Sequence, residues 1–358
     1  MMHRDNDPVL DALIEEDIPF AVFKLPHETV PRFVMQSSGT PSVFRRIEDL
    51  NGRRGFVIAP FRITEDSPVL LIRPDCTDLT EVSDREIRRC PRKETKGRKD
   101  THKEKDEYRR LFYRFHKPLA GGEMEKLVLS RSKTIDRQEA FSPARSFFRA
   151  VEKYPHLYVY LFHTPQSGTW LGSTPEILLT GTKSEWRTIA LAGTRYPQSD
   201  TLSWDIKNIR EQDVVSSYLL NRLSSFDITP ETNGPYTVAA GNLMHLRTDF
   251  RFRLPDTLQP GTLLQALHPT PAVSGLPKEE AFRFIEENEG YDRLYYSGFL
   301  GMLDAERETG IYVNLRCMHI AHDSLTLFAG GGLLASSSLE DEWEETEYKL
   351  KTMLDILE

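Results

Sequence analysis

What most constrains this chain is its long succession of short apolar runs, which helical segments do not regularly interrupt. IPFAVFKL, PRFVMQSS, RGFVIAPFRI and PVLLIRP fill the first third; HLYVYLFHT, TWLGS, EILLTG, RTIALAG, YTVAAG, GIYVNLRCMHI and SLTLFAGG follow. These runs are rich in β-branched and aromatic residues and are broken by glycine, proline or aspartate, the mark of strands and turns. Helical patterns fall at 107–116 (EYRRLFYRFH) and at about 203–225, 278–289 and 339–357. Strands and helices therefore do not alternate as a doubly wound parallel sheet requires. The pattern predicts an α+β fold, with large antiparallel β-sheets stacked in a core and peripheral helices.

The segment 83–105, SDREIRRCPRKETKGRKDTHKEK, is dense in charge and almost free of apolar residues. It reads as a solvated loop or linker, with a basic docking patch as the alternative. It separates a β-rich N-terminal part, 1–106, from 107–358, where the chemically suggestive residues lie. The formal net charge of −8 gives no global basic field for nucleic acid. No apolar run reaches the roughly 18 residues of a membrane span. The stretch MMHRDNDPVLDALIEEDIPF has no apolar signal-peptide core. Cys76, Cys90 and Cys317 are far apart and show no metal-ligand spacing, so a reducing compartment, the cytoplasm, is expected.

Several stretches carry residue types suited to chemistry, each with a bland reading beside it. EKLVLSR, 125–131, opens an apolar strand with a lysine, either an edge charge or a side chain directed into a site. In SWDIKNIRE, 203–211, Lys207 and Glu211 lie four apart on a helix, the spacing of a modest ion pair. Ser337 and Glu340 fit a capping box at the start of the last helix. There Leu339, Trp343, Leu350 and Leu354 form an apolar arc, and Glu342, Glu345 and Lys349 another. The acidic arc is a solvated face, or a carboxylate pair for Mg²⁺, which takes one or two carboxylates, water and a substrate oxyanion.

The glycines of FAGGG, 328–332, and LAGT, 191–194, are plain turns, or places where backbone N–H groups meet an oxyanion. HPTPAVSGLP, 268–277, reads as a rigid loop. Glu176, against the apolar run of STPEILL, is a strand-end charge or an acid whose pKa burial raises. Arg316, within an apolar strand, needs a carboxylate from the protein or from a ligand.

In order, KLVLSR, GSTPEILL, LAGT, KNIRE, HPTPAVSGLP, DRLYYSGFLG, LRC, FAGGGLLASSS and EWEETEYK resemble the chorismate-binding enzymes over roughly residues 107–358. The resemblance implies a single α+β domain over 1–358, chorismate as substrate and Mg²⁺ as cofactor. It implies Lys126 as general base and Glu176 as general acid. Glu211 and Glu345 fall on the Mg²⁺ carboxylates, with Glu342 beside Glu345. Arg316 falls on the holder of one substrate carboxylate, and Lys349 with the backbone of Gly330, Gly331 and Gly332 on the other contacts. Gly193, Thr194, His268, Ala272 and Tyr296 complete the implied substrate site, His268 beside the leaving hydroxyl. Gln212 is a departure, standing where relatives often have a histidine after the acid.

Within the family, ammonia-using branches lack a lysine at the position of Lys126. The aminodeoxychorismate branch carries a nucleophilic lysine where this chain has Ala192. Lys126 with Ala192 therefore resembles the isochorismate synthases, and implies attack of water at C2 of chorismate with loss of the C4 hydroxyl. Salicylate synthases share the lysine but tend to carry a bulkier polar residue where Ala272 stands, and are the alternative. A non-catalytic chorismate-binding protein on the same fold is the rival from another class. The resemblance favours menaquinone over siderophore biosynthesis, a monomer, and no glutaminase partner.

Overall fold

The computed structural model of the chain describes residues 7–82, 101–195, 203–241 and 243–357. Most of the charged segment, 83–100, lies outside the described residues. Two antiparallel sheets form the body. The first has eight strands, in the order Gly275–Leu276, Lys126–Asp136, Ser324–Leu333, Cys317–Ile320, Gly168–Thr174, Tyr158–Thr164, Phe20–Lys24 and Arg32–Met35. The second has nine, in the order Glu231–Ala240, Leu243–Phe252, Trp186–Arg195, Ile177–Gly181, Thr309–Val313, Phe299–Leu303, Gly55–Ala59, Val69–Ile72 and Ser42–Phe44. The N-terminal strands close the outer edges of both sheets, so the first third of the chain is woven into one body with the rest.

The continuous apolar runs follow from sheets covered on both faces, where strands lose the in-out polarity of a half-solvated sheet. Strand Tyr158–Thr164 illustrates this with its period of two. Tyr158, Tyr160 and Phe162 face the second sheet, among Phe56, Ile58, Ile189 and Tyr312. Val159 and Leu161 point the other way, among residues of the helices Asp7–Glu15 and Pro143–Lys153. Tyr158 stacks on Tyr312 across the sheets at 4.0 Å between ring centroids. Helices Ile206–Ser224 and Pro260–Leu267 cover the outside of the second sheet through Val215, Leu219, Leu263 and Leu264. Helices Asp7–Glu15, Pro143–Lys153 and Pro260–Leu267 lie outside the helical patterns read from sequence; all are short.

Two sequence expectations shift in register. The last helix, Leu339–Leu354, is capped by Ser338, which accepts from Asp341 N, and not by Ser337. Gly330, Gly331 and Gly332 form no turn; they are the closing residues of strand Ser324–Leu333, paired with Ser130, Leu129 and Val128.

The chain crosses between the sheets at two neighbouring places. Pro175–Glu176 links Gly168–Thr174 to Ile177–Gly181, and Asn314–Arg316 links Thr309–Val313 to Cys317–Ile320. The crossings are tied together, Val313 N donating to Glu176 O at 2.9 Å and Ser173 N to Arg316 O at 3.1 Å. Arg316 is thus not in the middle of a strand, as its apolar flanks suggest, but at a crossing, with φ +43°.

Candidate active site

Beside these crossings lies a cavity lined by Glu176, Ala192, Gly193, Thr194, Glu211, His245, Ala272, Tyr296, Arg316, Gly330, Gly332, Glu345 and Lys349 among others. Residues from the two sheets, two crossings and two helices meet there. Partly apolar pockets with a few convergent polar groups are the usual form of a small-molecule site.

Lys126 is fully buried. Its strand position directs Nζ to Glu211 Oε1, 2.8 Å away on helix Ile206–Ser224. The bland reading of an edge charge fails. Gly332 makes room for the pair, since a Cβ there would fall 2.2 Å from Glu211 Oε1 and 2.8 Å from Lys126 Cε. Lys207 does not pair with Glu211 four residues on. It reaches Glu342 Oε1 on the last helix, at 2.5 Å. Ser337 Oγ donates to the same oxygen at 2.7 Å, so the serine read as a cap instead orients an acid.

Glu342 is no solvated face. It is 1 % exposed, and its Oε2 has no hydrogen-bond partner among the described residues. Burial pushes its carboxyl up, against the pull of Lys207. Glu345 Oε1 accepts from Lys349 Nζ at 2.6 Å and from Thr194 Oγ1 at 3.1 Å. Burial opposes the charged form of Glu345, but the Lys349 and Lys207 ammoniums outweigh it and hold the carboxyl down. Lys349 also donates to Gly330 O at 2.8 Å.

The carboxylates Glu211, Glu342 and Glu345 thus each face one lysine. Among the described residues, no three carboxylate, imidazole or thiol groups converge as a ready-made metal cluster. The donor set still suits a hard cation such as Mg²⁺, because it is all carboxylate oxygen and such ions complete their shell with water and substrate. The orphaned Glu342 Oε2 fits the same group, since an unsatisfied buried acceptor costs about 1–3 kcal/mol unless something occupies it. Gly331 keeps that space clear, because a Cβ there would lie 2.9 Å from Glu342 Oε2 and 3.5 Å from Glu345 Oε1.

Glu176 lies at the first crossing, 4 % exposed. Burial raises its carboxyl to about 7, against the opposing charges of Lys126, Lys349 and Arg316. Arg316 pairs with no carboxylate among the described residues. Nη1 donates to Ala240 O at 2.6 Å and Nη2 to His245 Nε2 at 2.7 Å, and burial lowers its pKa to about 10. His245 Nδ1 lies 2.8 Å from Gly193 O. Burial and the nearby Arg316 and Lys349 push His245 down to about 3, so it is neutral, with Nδ1–H donating and Nε2 accepting.

Gly193, at φ +72°, forms a bulge in its strand, between Ala192 and Arg195. Thr194 N there donates to Asn208 Oδ1 at 2.8 Å, and Asn208 N to the cap Asp205 at 2.8 Å. A helix start and a strand bulge are locked together at the cavity wall. Tyr296 stacks on Phe328, and a Cβ on Gly330 would lie 2.8 Å from its hydroxyl. Gln212 is buried and donates to Ala190 O and Thr248 Oγ1.

His268 is the expected contact that the fold does not bring in. Its Nε2 faces Pro60 O at 3.2 Å and Phe61 O at 3.4 Å, and it is absent from the cavity lining. The backbone turns at the cis His268–Pro269 bond, and Ala272 and Val273 reach the cavity instead. Sequence reasoning missed His245 and Asn208, and gave Ser337 a cap's task in place of its bond to Glu342. A histidine in the otherwise apolar start of LMHLRT was the one signal for the first.

The family model for chorismate-binding enzymes matches residues 51–358. Isochorismate synthase EntC of Escherichia coli (strain K12) is 32% identical over 248 residues, 65% of this chain and 62% of that protein. Isochorismate synthase MenF of Haemophilus influenzae is 30% identical over 252 residues, 66% of this chain and 57% of that one. The alignments therefore span less than two thirds of these relatives' length. Among solved structures, DhbC from Bacillus anthracis, assigned as a 2,3-dihydroxybenzoate-specific isochorismate synthase, superposes with a TM-score of 0.79. It is 25% identical, with 97% of this chain and 99% of that one covered. The menaquinone-specific isochorismate synthase MenF from Escherichia coli gives 0.77 at 22% identity, covering 98% of this chain and 91% of that one, a likeness of fold.

Proposed function

This chain belongs to the chorismate-binding enzyme family, and we propose that within it the chain is an isochorismate synthase. The observation that carries this reading is Lys126, buried and paired with Glu211, in a site whose wall at position 192 is alanine. That combination offers a base for water and no amine nucleophile in the wall.

In the proposed reaction Lys126, acting as the free amine with its bond to Glu211 released, takes a proton from water as the water oxygen bonds to C2 of chorismate. Both ring double bonds shift, C1=C2 to C1=C6 and C5=C6 to C4=C5, as the C4–oxygen bond breaks. Glu176, kept protonated near neutrality by burial, donates to the departing hydroxyl, which leaves as water. Atoms balance to an isomer, isochorismate. Arg316 forks onto one carboxylate of the substrate, and Lys349 with the Gly330–Gly332 backbone lies where the other would rest. Glu211, Glu342 and Glu345 would hold Mg²⁺, which supplies charge neutralisation for the ring carboxylate. Menaquinone biosynthesis is the favoured setting, siderophore biosynthesis the other.

The test is a product assay with purified protein, chorismate and Mg²⁺, separated by chromatography. Isochorismate as sole product is expected. Salicylate with pyruvate would move the chain to the salicylate synthases. Bound chorismate without turnover would overturn the catalytic reading.

A further inference from the structure

The three lysines around the cavity are not equivalent. Lys126 is sealed in, and Lys349 is anchored a second time on Gly330 O. Lys207 donates only to Glu342 among the described residues, and its side chain is 22 % exposed. It stands in the first turn of helix Ile206–Ser224, beside Ile206, which is 85 % exposed. Its side chain therefore keeps a partial opening to solvent. Glu342 has none. One of its oxygens is shared by Lys207 and Ser337, and the other is buried and unpartnered.

We propose that Lys207 is a tethered counter-cation: it neutralises Glu342 while the carboxylates are metal-free, and yields that acid when a divalent cation binds. The proposal rests on the metal reading above and goes beyond it, because it assigns a competitor rather than a ligand. A lysine suits the role, being a compact point charge on a flexible stem. An ammonium and a divalent cation on one carboxylate repel each other, so the cation must displace the lysine to use Glu342 fully. Ser337 is placed to keep Glu342 oriented after Lys207 leaves. Without such a counter-cation the buried acid would stand next to Glu345 unneutralised.

The experiment titrates the full-length, substrate-free protein with Mn²⁺ and reads free ion by electron paramagnetic resonance. Lys207→Met is expected to bind Mn²⁺ roughly tenfold tighter than wild type, the size of one charge-assisted hydrogen bond removed from the competition. Lys207→Arg keeps the charge and should stay near the wild-type affinity, with melting curves showing both variants folded. Equal or weaker Mn²⁺ binding by Lys207→Met overturns the proposal. So does unchanged Mn²⁺ binding with a raised KM for chorismate, which would make Lys207 a substrate contact. Glu345→Gln separates the two readings. If it weakens Mn²⁺ binding while Lys207→Met does not strengthen it, only the lysine's role falls. If Glu345→Gln changes nothing, the metal reading falls and this proposal with it.

Discussion

The ion pairs Arg293–Glu289 and Lys126–Glu211 are both buried and both touch the strand Lys126–Asp136, yet they differ in what else they bind. Arg293 spends four of its five N–H donors. Its Nε and Nη2 donate to Glu289, Nη1 to Val273 O and Nη2 also to Val128 O. Glu289 Oε1 further accepts from Ser130 N and Oγ. Every lobe of the pair is spent on holding chain segments together. Lys126 and Glu211 share one hydrogen bond, and Glu211 lines the cavity. A buried pair whose every nitrogen and oxygen is bonded is a strut. A buried pair with spare lone pairs against a cavity is available for chemistry.

The comparison is sharpest where one partner is removed. Lys126→Ala should lower kcat by on the order of 10²–10⁴ if Lys126 is the base, with the melting curve close to wild type; a full-rate variant would sink that assignment. Arg293→Met should instead unfold the protein more easily, by about 3–5 kcal/mol in urea denaturation, because Glu289 is left charged and enclosed. Adding Glu289→Gln should recover part of that loss. Equal stability losses at Lys126 and Arg293 would erase the distinction.

Smaller effects probe the Lys126 pair itself. Gly332→Ala places a Cβ against Glu211 and Lys126, and should cut kcat/KM by more than about tenfold, or ~1.4 kcal/mol, while the fold survives. The pH profile is the mildest test. Glu176 titrates at about 7 because burial raises it, and an acid must be protonated to donate. The Glu176 limb should therefore fall by up to about tenfold per unit above that pH, and Glu176→Gln should remove that limb at a lower plateau. A limb that persists in Glu176→Gln belongs to another group.

Much of this was readable from residues in a line. Non-alternating apolar runs implied stacked antiparallel sheets, because sheets covered on both faces need apolar residues throughout. The order of short stretches around Lys126, Glu176, Glu211, Arg316 and Glu345 implied a family, and four of those side chains line one cavity while Lys126 bonds to one of the four, Glu211. Partners were harder. Lys207 at four-residue spacing from Glu211 looked like a local pair, yet both side chains are claimed from elsewhere, by Glu342 and by Lys126. Ser337 looked like a cap, and a one-residue shift gave that task to Ser338.

The chain's own pattern sufficed for what depends on local chemistry and period: most of the strands, though not Leu243–Phe252 or Phe299–Leu303, which residues are chemically capable, and that hydrophobic burial drives the fold. Only the tertiary arrangement decided which charge meets which. Lys126 and Glu211 are 85 residues apart, Lys207 and Glu342 135. Such contacts depend on where two sheets exchange strands and how two helices lean over the crossing. His268 shows the same limit from the other side. Its sequence neighbourhood reaches the cavity, but the direction of one imidazole was set by the carbonyls of Pro60 and Phe61, 208 and 207 residues away.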